Sequence, residues 1–544
     1  LARSWPRFSL GSLPRLSLRA TLLLAALVIE GTALAMWPAV YLLSATEYGP
    51  SPFGLMFADR YVAVGWILAA IKTAVDWILP GALWSWERLV AFTLHTVAAA
   101  FLAYTIAAGR LMQSARSPGR NSADAARSYL PWILGPLAVF QITLIFVPGT
   151  MTTDIYNYAI YGEMPVLYNA NPFVHTPGEF PQSPLYYLIP LYWHDAASVY
   201  GPLWVSLSSG VATLARSSAL ADELLIYRSI ANLAHFLNAA LVWAIARRLH
   251  PERAGSATVA YAWNPLLLLE FALNGHNDVL MLTFALAAIL AASYRRLTAT
   301  AIALGLSIAT KYTSVLIAGP LLIAVARATP GDLWAVFRRA GLAGVAMTAV
   351  VIGAYAVWFQ GPETFGPAWY WMSGPRSNNF WPDPFIGAVA GWVAGALRVP
   401  YDDGWNLTMA IFKPVAKVVL VVWVGVEALR VRRLEDALAA SARIALVFLL
   451  LVNTWLMPWY YTWPLAFCAA LGWERTIVRV CAGFTLTALY TMYQRQYSAS
   501  LVHEMAGLFL VLPLLFAAVP SITRWLRASL GRSPRDEAAA VTRR

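Results

Sequence analysis

The chain reads as an all-α, multi-pass membrane protein, and three observations point there. Its 544 residues are 59% hydrophobic and only 12% charged, with a mean hydropathy of +0.59. Soluble domains carry about twice that share of charge. Apolar runs recur along almost the whole length, most of them near the roughly 20 residues that cross the hydrocarbon core. Arginines gather in clusters between those runs instead of being spread through them. In hydrocarbon every backbone polar group needs an internal partner, so spans of this kind are helices.

The runs fall at about 20–43, 88–108, 130–148, 223–245, 255–272, 277–293, 297–310, 312–326, 341–359, 408–429, 442–458, 460–474, 480–496 and 503–520. The first, Leu22 to Leu43, is long enough to remain as a spanning helix, not a cleaved signal. The segment 61–79 is placed outside the membrane as an interfacial helix, because counting it as a span would reverse every later arginine cluster. The stretch 297–326 reads as a hairpin interrupted at Lys311. The expected total is roughly fourteen spans.

The clusters are Arg3 to Arg19, Arg110 to Arg127, Arg247 to Arg253, Arg295–Arg296, Arg327 to Arg339, Arg430 to Arg433, Arg475–Arg479 and the tail from Arg524. With roughly fourteen spans, all of these fall on one face, which the positive-inside rule makes cytoplasmic. The net charge of +12 is then anchoring charge, and no nucleic-acid partner is expected. Cys468 and Cys481 lie inside apolar runs, which argues against a disulfide framework or a zinc site. The expected organisation is a cytoplasmic segment over 1–20, one membrane domain over 21–525 and a flexible cytoplasmic tail over 526–544. The opposite face receives the large loops 149–222 and 360–407, together with short connections at Gly275–Asp278, Lys311, Trp459–Tyr460 and His503–Glu504.

Those loops hold the chemistry-bearing residues. Asp154 closes the apolar run Leu130 to Pro148, and Tyr158 and Tyr161 follow at spacings that share one face of a short helix. A carboxylate at a membrane surface is costly unless it has work or partners. It has two readings, a functional acid or base and a helix cap favoured by the dipole. Asn171-Pro172 and Gly201-Pro202 mark turns. A second constellation is Trp263-Asn264-Pro265, Glu270 and Gly275-His276-Asn277-Asp278. Pro265 breaks an apolar run, and Asn264 is a candidate to satisfy the freed backbone groups. His276 and Asp278 are either functional or a pair that caps the next helix. Lys311 is either a snorkelling side chain or a cation for a phosphate. Arg376 is the other candidate cation on that face. No metal-ligand spacing and no nucleotide-binding glycine motif occurs.

Taken in order, these residues resemble a known family. Asp154-Ile-Tyr-Asn-Tyr158, Asn171-Pro-Phe, Tyr200-Gly-Pro-Leu, Trp263-Asn-Pro-Leu, Gly275-His-Asn-Asp278 and Pro458-Trp-Tyr followed by Trp463-Pro-Leu look like the polyprenol-phosphate-mannose-dependent mannosyltransferases. These belong to the C superfamily of membrane glycosyltransferases, and the bacterial α-1,6-mannopyranosyltransferase group is the best match. The resemblance covers roughly residues 130–470. It implies a bundle of about 11–14 transmembrane helices with interfacial helices in the outer loops. It also implies a polyprenyl-phosphate sugar donor, used on the extracytoplasmic face of the cytoplasmic membrane, and a glycan or glycolipid acceptor. Asp154 would be the general base, with no cofactor and no required metal. Tyr158, Asn171, His276, Asn277, Asp278, Lys311, Arg376, Trp459 and Tyr460 are the expected substrate-binding residues. One departure is that the acidic motif follows the third span, not the first, which implies an additional N-terminal hairpin.

The chemistry fits independently. Transfer from a lipid phosphate needs a base within reach of an acceptor hydroxyl and positive charge for the leaving phosphate. Aromatic residues such as Trp459 and Tyr460 offer platforms for sugar faces. The alternative is a transporter or flippase for a lipid-linked or small polar substrate, since broken helices and polar midplane residues also mark transporters. Against it, the polar groups collect on one face and no two halves repeat.

Overall fold

In the computed structural model, residues 16–47, 57, 59–115, 127–367, 382–453, 455–497, 511–515 and 517–518 are described. Among these residues all regular structure is helical. Helix α1 (Leu18–Glu47) lies along α3 (Trp86–Ala115), and the Thr32 hydroxyl donates to the Thr96 carbonyl at 3.0 Å. Between them α2 (Val62–Ile78) buries only Val64 and Leu68. It carries Lys72 and Asp76 and is not among the helices long and apolar enough to span. The α1–α3 pair precedes α4 (Pro131–Ile145), as an extra N-terminal hairpin requires.

After α4 a short loop leads into α5 (Asp154–Leu167), and α6 (Pro202–Ala215) packs across it. Gly162 permits that crossing. A β-carbon there would sit 2.5 Å from the Ser208 carbonyl oxygen, closer than atoms pack in any protein interior. Helix α7 (Leu220–Leu249) then returns through the bundle, ending on Arg247 and Arg248. Their charge suits the negative end of the helix dipole.

The chain breaks where Pro265 predicts. Helix α8 (Ala254–Ala262) stops, Asn264 caps, and α9 (Pro265–Leu273) begins. The Asn264 side-chain oxygen accepts from the amides of Leu266 and Leu267 at 3.0 and 3.4 Å. Its nitrogen donates to Thr485 Oγ1 at 2.8 Å. Asn264 therefore serves the broken backbone, as its place before Pro265 led one to expect. Helix α9 widens to π geometry over Leu268–Leu273 and meets α10 (Asp278–Ser293) at a bend of 117°. The two arms double back, and residues 274–277 form the connection between them.

The rest of the bundle is α11 (Leu297–Thr310), α12 (Val315–Arg327), α13 (Leu333–Ala356), α14 (Pro382–Leu397), α15 (Tyr401–Arg430), α16 (Leu434–Val447), α17 (Thr462–Cys468) and α18 (Thr476–Tyr497). Lys311, with extended backbone, separates α11 from α12, as expected for a lysine dividing an apolar stretch. Six of the described helices are long and apolar enough to cross a bilayer, or seven if the bent pair counts as one span. Five shorter apolar helices accompany them. The count of roughly fourteen treated each apolar run as a span. The remaining runs form shorter or broken helices: Pro265 interrupts the run 255–272, Lys311 separates the two short helices α11 and α12, and irregular chain precedes α17. The run at 503–520 lies mostly outside the described residues. Two cores result. The larger fills the helix bundle. The smaller is aromatic, with Tyr158, Tyr161, Tyr200, Trp204 and Tyr227 around α5 and α6.

Candidate functional site

A buried arginine fixes the start of α5. Arg228, on α7, donates to the carbonyls of Ile145 at 3.0 Å, Val147 at 2.8 Å and Gly149. The last turn of any helix leaves carbonyls without intrahelical partners. Here a cation gathers one of them, from Ile145, with two carbonyls of the loop beyond, which sets the path of the chain into Asp154. The same loop is tied to the α9–α10 connection. The Asn274 side-chain oxygen accepts from the Met151 amide at 3.0 Å and from the Thr150 hydroxyl at 3.4 Å. Thr152 Oγ1 accepts from the Asp154 amide at 3.2 Å. Asp154 thus opens α5 at the positive end of the helix dipole. Its side chain forms no capping hydrogen bond, and Oδ2 faces His276 Nδ1 at 3.6 Å.

The connection that carries His276 is shaped by Gly275, whose φ is +74°. A side chain is strained in that left-handed region, whereas glycine adopts it freely. His276 is fully buried between two carboxylates. Nε2 lies 3.2 Å from Glu270 Oε2, at ion-pair distance but off the straight line of a hydrogen bond. Burial alone would lower the imidazole pKa. The contacts with Asp154 and Glu270 outweigh it and raise the pKa from 6.5 to about 9. The ring stacks on Trp459, with centroids 3.8 Å apart and planes 23° from parallel. Glu270 is held in turn by Asn274, whose side-chain nitrogen donates to Oε2 at 2.8 Å.

Tyr158 sits beneath this contact. Its hydroxyl donates to Asn277 Oδ1 at 3.4 Å, accepts from the Asn277 amide at 3.3 Å and lies 3.4 Å from His276 Nδ1. Burial, then the charges of Asp154 and Asp278, push its pKa well above the ordinary tyrosine value, so the hydroxyl keeps its proton. Tyr158 and Tyr161 both pack edge-on against Tyr200, at 4.9 and 6.0 Å between centroids, confirming that they share one face of α5.

A second charged pair adjoins the first. Lys311 Nζ donates to both oxygens of Asp278 at 2.8 Å. The Trp463 indole N–H donates to Asp278 Oδ1 at 2.6 Å. The ammonium also lies 5.0 Å from the Tyr460 ring centroid and 5.5 Å from that of Trp463, within range for cation–π attraction. Asp278 is fully buried while Lys311 keeps 14% of its side chain exposed and Asp154 keeps 16%. Those two residues and the half-buried Tyr460 are where the cluster meets the outside.

Asp154, Tyr158, His276, Asn277, Asp278, Lys311, Trp459 and Tyr460 therefore come together from four separate stretches of chain. His276 and Asp278, expected as a possible pair, instead take different partners. Lys311 does not snorkel to water but meets a buried carboxylate. Asn171 is committed elsewhere. Its nitrogen donates to the Trp358 carbonyl at 2.6 Å and its oxygen accepts from the Phe173 amide at 3.0 Å. Arg376 and the His503–Glu504 pair lie outside the described residues. Arg228 and Asn274 did not stand out as site residues in the sequence, and Trp463 and Glu270 were noted there without a role. An arginine in the apolar run 223–245 was the one available signal for Arg228.

A cavity of about 570 Å³ lies away from this cluster, among Glu427, Arg430, Glu435, Arg443, Glu474 and Arg475. Arg443 and Glu427 in its wall already pair, at 2.6 Å. The mixture of signs there favours no single kind of ligand. Converging acid, imidazole, ammonium and aromatic groups make the Asp154 cluster the stronger candidate site.

Comparison with known proteins points the same way. A family model described as Alpha-(1->6)-mannopyranosyltransferase, N-terminal domain, matches residues 53–327. The chain is 23% identical to Alpha-(1->6)-mannopyranosyltransferase A of Corynebacterium glutamicum over 384 residues, 67% of this chain and 75% of that protein. It is 25% identical to the protein of the same name from Mycobacterium tuberculosis over 358 residues, 63% of this chain and 65% of that one. A probable alpha-(1->6)-mannopyranosyltransferase of Mycolicibacterium smegmatis matches over a shorter stretch, 207 residues at 25% identity, covering 37% of this chain and 34% of that protein. The matched interval holds Asp154, Glu270, His276, Asp278 and Lys311, and the chain belongs to the alpha-(1->6)-mannopyranosyltransferase family of membrane glycosyltransferases.

Proposed function

We propose that this protein transfers mannose from a polyprenyl-phosphate donor to a glycan or glycolipid acceptor on the extracytoplasmic face of the membrane, with Asp154 as the general base. One observation carries the reading. Asp154 is a partly exposed carboxylate beside a buried imidazole, and a buried Asp278–Lys311 pair adjoins it. In the proposed step Asp154 takes the proton of an acceptor hydroxyl as that oxygen attacks the anomeric carbon. The bond from that carbon to the phosphate oxygen breaks, and polyprenyl phosphate leaves with the electron pair. Charge builds on the leaving phosphate, so a nearby ammonium stabilises the transition state more than the ground state. Lys311 directs N–H groups at both oxygens of Asp278 and has a third for that anion. Arg376 is the second candidate for the same role.

The extracytoplasmic assignment rests on the arginine clusters, which fall on the side opposite the site loops in the proposed topology. The same reasoning supports a single catalytic domain over 21–525 with both ends of the chain in the cytoplasm.

The test is Asp154→Asn in purified full-length protein, assayed with a polyprenyl-phosphate mannose donor and an alkyl mannoside acceptor. The amide is nearly isosteric but takes no proton, so kcat should fall by roughly 10²–10⁴ while donor binding persists. Near-normal turnover would remove Asp154 as the base and leave Asp278 as the next carboxylate to examine.

A further inference from the structure

Asp154 alone does not account for the arrangement behind it. Glu270 is 1% exposed and His276 is fully buried, so neither side chain is placed to touch a substrate. Yet each is tightly held. The His276 amide donates to the Glu270 carbonyl at 3.1 Å, Asn274 donates to Glu270 Oε2 at 2.8 Å, and Trp459 covers the imidazole face. A buried carboxylate is expensive unless it meets an opposite charge. Glu270 meets one in His276, whose other ring nitrogen is turned toward Asp154 Oδ2 at 3.6 Å. The second oxygen of Glu270, Oε1, is buried with no hydrogen-bond partner among the described residues. The carboxylate thus spends its polar contacts on its own turn and on the imidazole. A helix interior shaped only for packing gains nothing from such a group.

We propose that Glu270 is a positioning residue for the transfer reaction: through His276 it fixes the orientation of the Asp154 carboxylate toward the acceptor hydroxyl. The line runs Glu270 Oε2, His276 Nε2, His276 Nδ1, Asp154 Oδ2. His276 holds one oxygen of Asp154 and leaves the other for the acceptor. The π turn over Leu268–Leu273 makes this possible, because it brings Glu270 round to face a histidine six residues later on the far side of Gly275. Local departures of this kind are frequent at functional sites. The inference rests on Asp154 being the base.

Four full-length proteins, assayed with the same donor and acceptor, decide it: wild type, Glu270→Gln, Asp154→Asn and the double variant. Glutamine keeps the size of Glu270 and an acceptor for Asn274 but loses the charge that orients the imidazole. In Glu270→Gln, kcat should fall roughly 10- to 100-fold with donor KM changed less than about threefold, as expected when a reacting group is misplaced and binding is not. Adding Glu270→Gln to Asp154→Asn should cost nothing further, because the residue acts only through Asp154. Glu270→Gln should also unfold within a few degrees of wild type. Wild-type kcat in Glu270→Gln, with Asp154→Asn inactive, would overturn this inference and leave the base assignment standing. An equal loss in both backgrounds would make Glu270 merely structural and overturn it as well. An active Asp154→Asn would overturn the base assignment, and this inference with it.

Discussion

Lys311 and Asp278 neutralise each other in a setting where either alone is costly. Asp278 is fully buried, and removing one partner of a buried ion pair strands the other at a cost of about 3–5 kcal/mol. Replacing Lys311 with Met therefore removes a charge and also destabilises the protein. The expected result is a clear drop in the thermal midpoint for Lys311→Met. Lys311→Met with Asp278→Asn should recover most of it, because no charge is then stranded. If the double variant unfolds no later than the single, the pair is not what holds the ammonium there. Only in the double background does a change in donor affinity report on phosphate binding. The stability of the site also depends on pH. The His276 pKa is raised from 6.5 to about 9 in the folded protein, so folding favours the charged ring. That stabilisation is complete below pH 6.5 and is lost as pH rises to about 9. The thermal midpoint of wild type should fall through that window, and His276→Asn should lack this component of the fall. Parallel curves for the two proteins would show that the imidazole is not held charged.

At the scale of elements, the site depends on two helices crossing closely. Helix α5 carries Asp154, and its Gly162 lies where a side chain would meet the Ser208 carbonyl of α6. Gly162→Val forces the helices apart, an overpacking cost of about 1–3 kcal/mol. The start of α5 moves with it, so turnover should fall more than stability alone explains. Measuring kcat at a temperature where the variant remains folded checks this. Unchanged kcat would mean that α5 tolerates the shift. The helices themselves were largely legible in the sequence. Hydropathy gave α1, α3, α7, α13 and α15 to within a few residues of their ends at one terminus or both, because a long apolar run in a lipid-bound chain has few other options. The breaks at Pro265 and Lys311 were legible for the same physical reason, a residue that a straight apolar helix cannot absorb. The 117° bend between α9 and α10 was not. A glycine at 275 permits a left-handed residue, but only packing against α5 and α7 decides which way the chain turns.

For the molecule as a whole, sidedness is the property most open to direct test. Cys468 and Cys481 are both buried, so an impermeant thiol reagent meets little background. A cysteine at the exposed Glu179 should label in intact cells, whereas one at Arg433 should label only after the membrane is opened. Labelling of position 433 from outside would invert the topology and, with it, the face on which the proposed transfer occurs.

The class of molecule, the approximate helices, the family resemblance and most of the chemical groups at the site were readable along the chain. Each of these follows from local composition or from motifs read along the chain. Tertiary structure decided the pairing. His276 with Glu270 and Asp154, Asp278 with Lys311 and Trp463, Arg228 with carbonyls at the end of α4 and in the loop beyond, and Asn171 with Trp358 are all contacts settled by folding. A buried charge takes whichever opposite charge the packed backbone brings within reach. That distance is set by how the helices cross, which residue types and spacings do not specify.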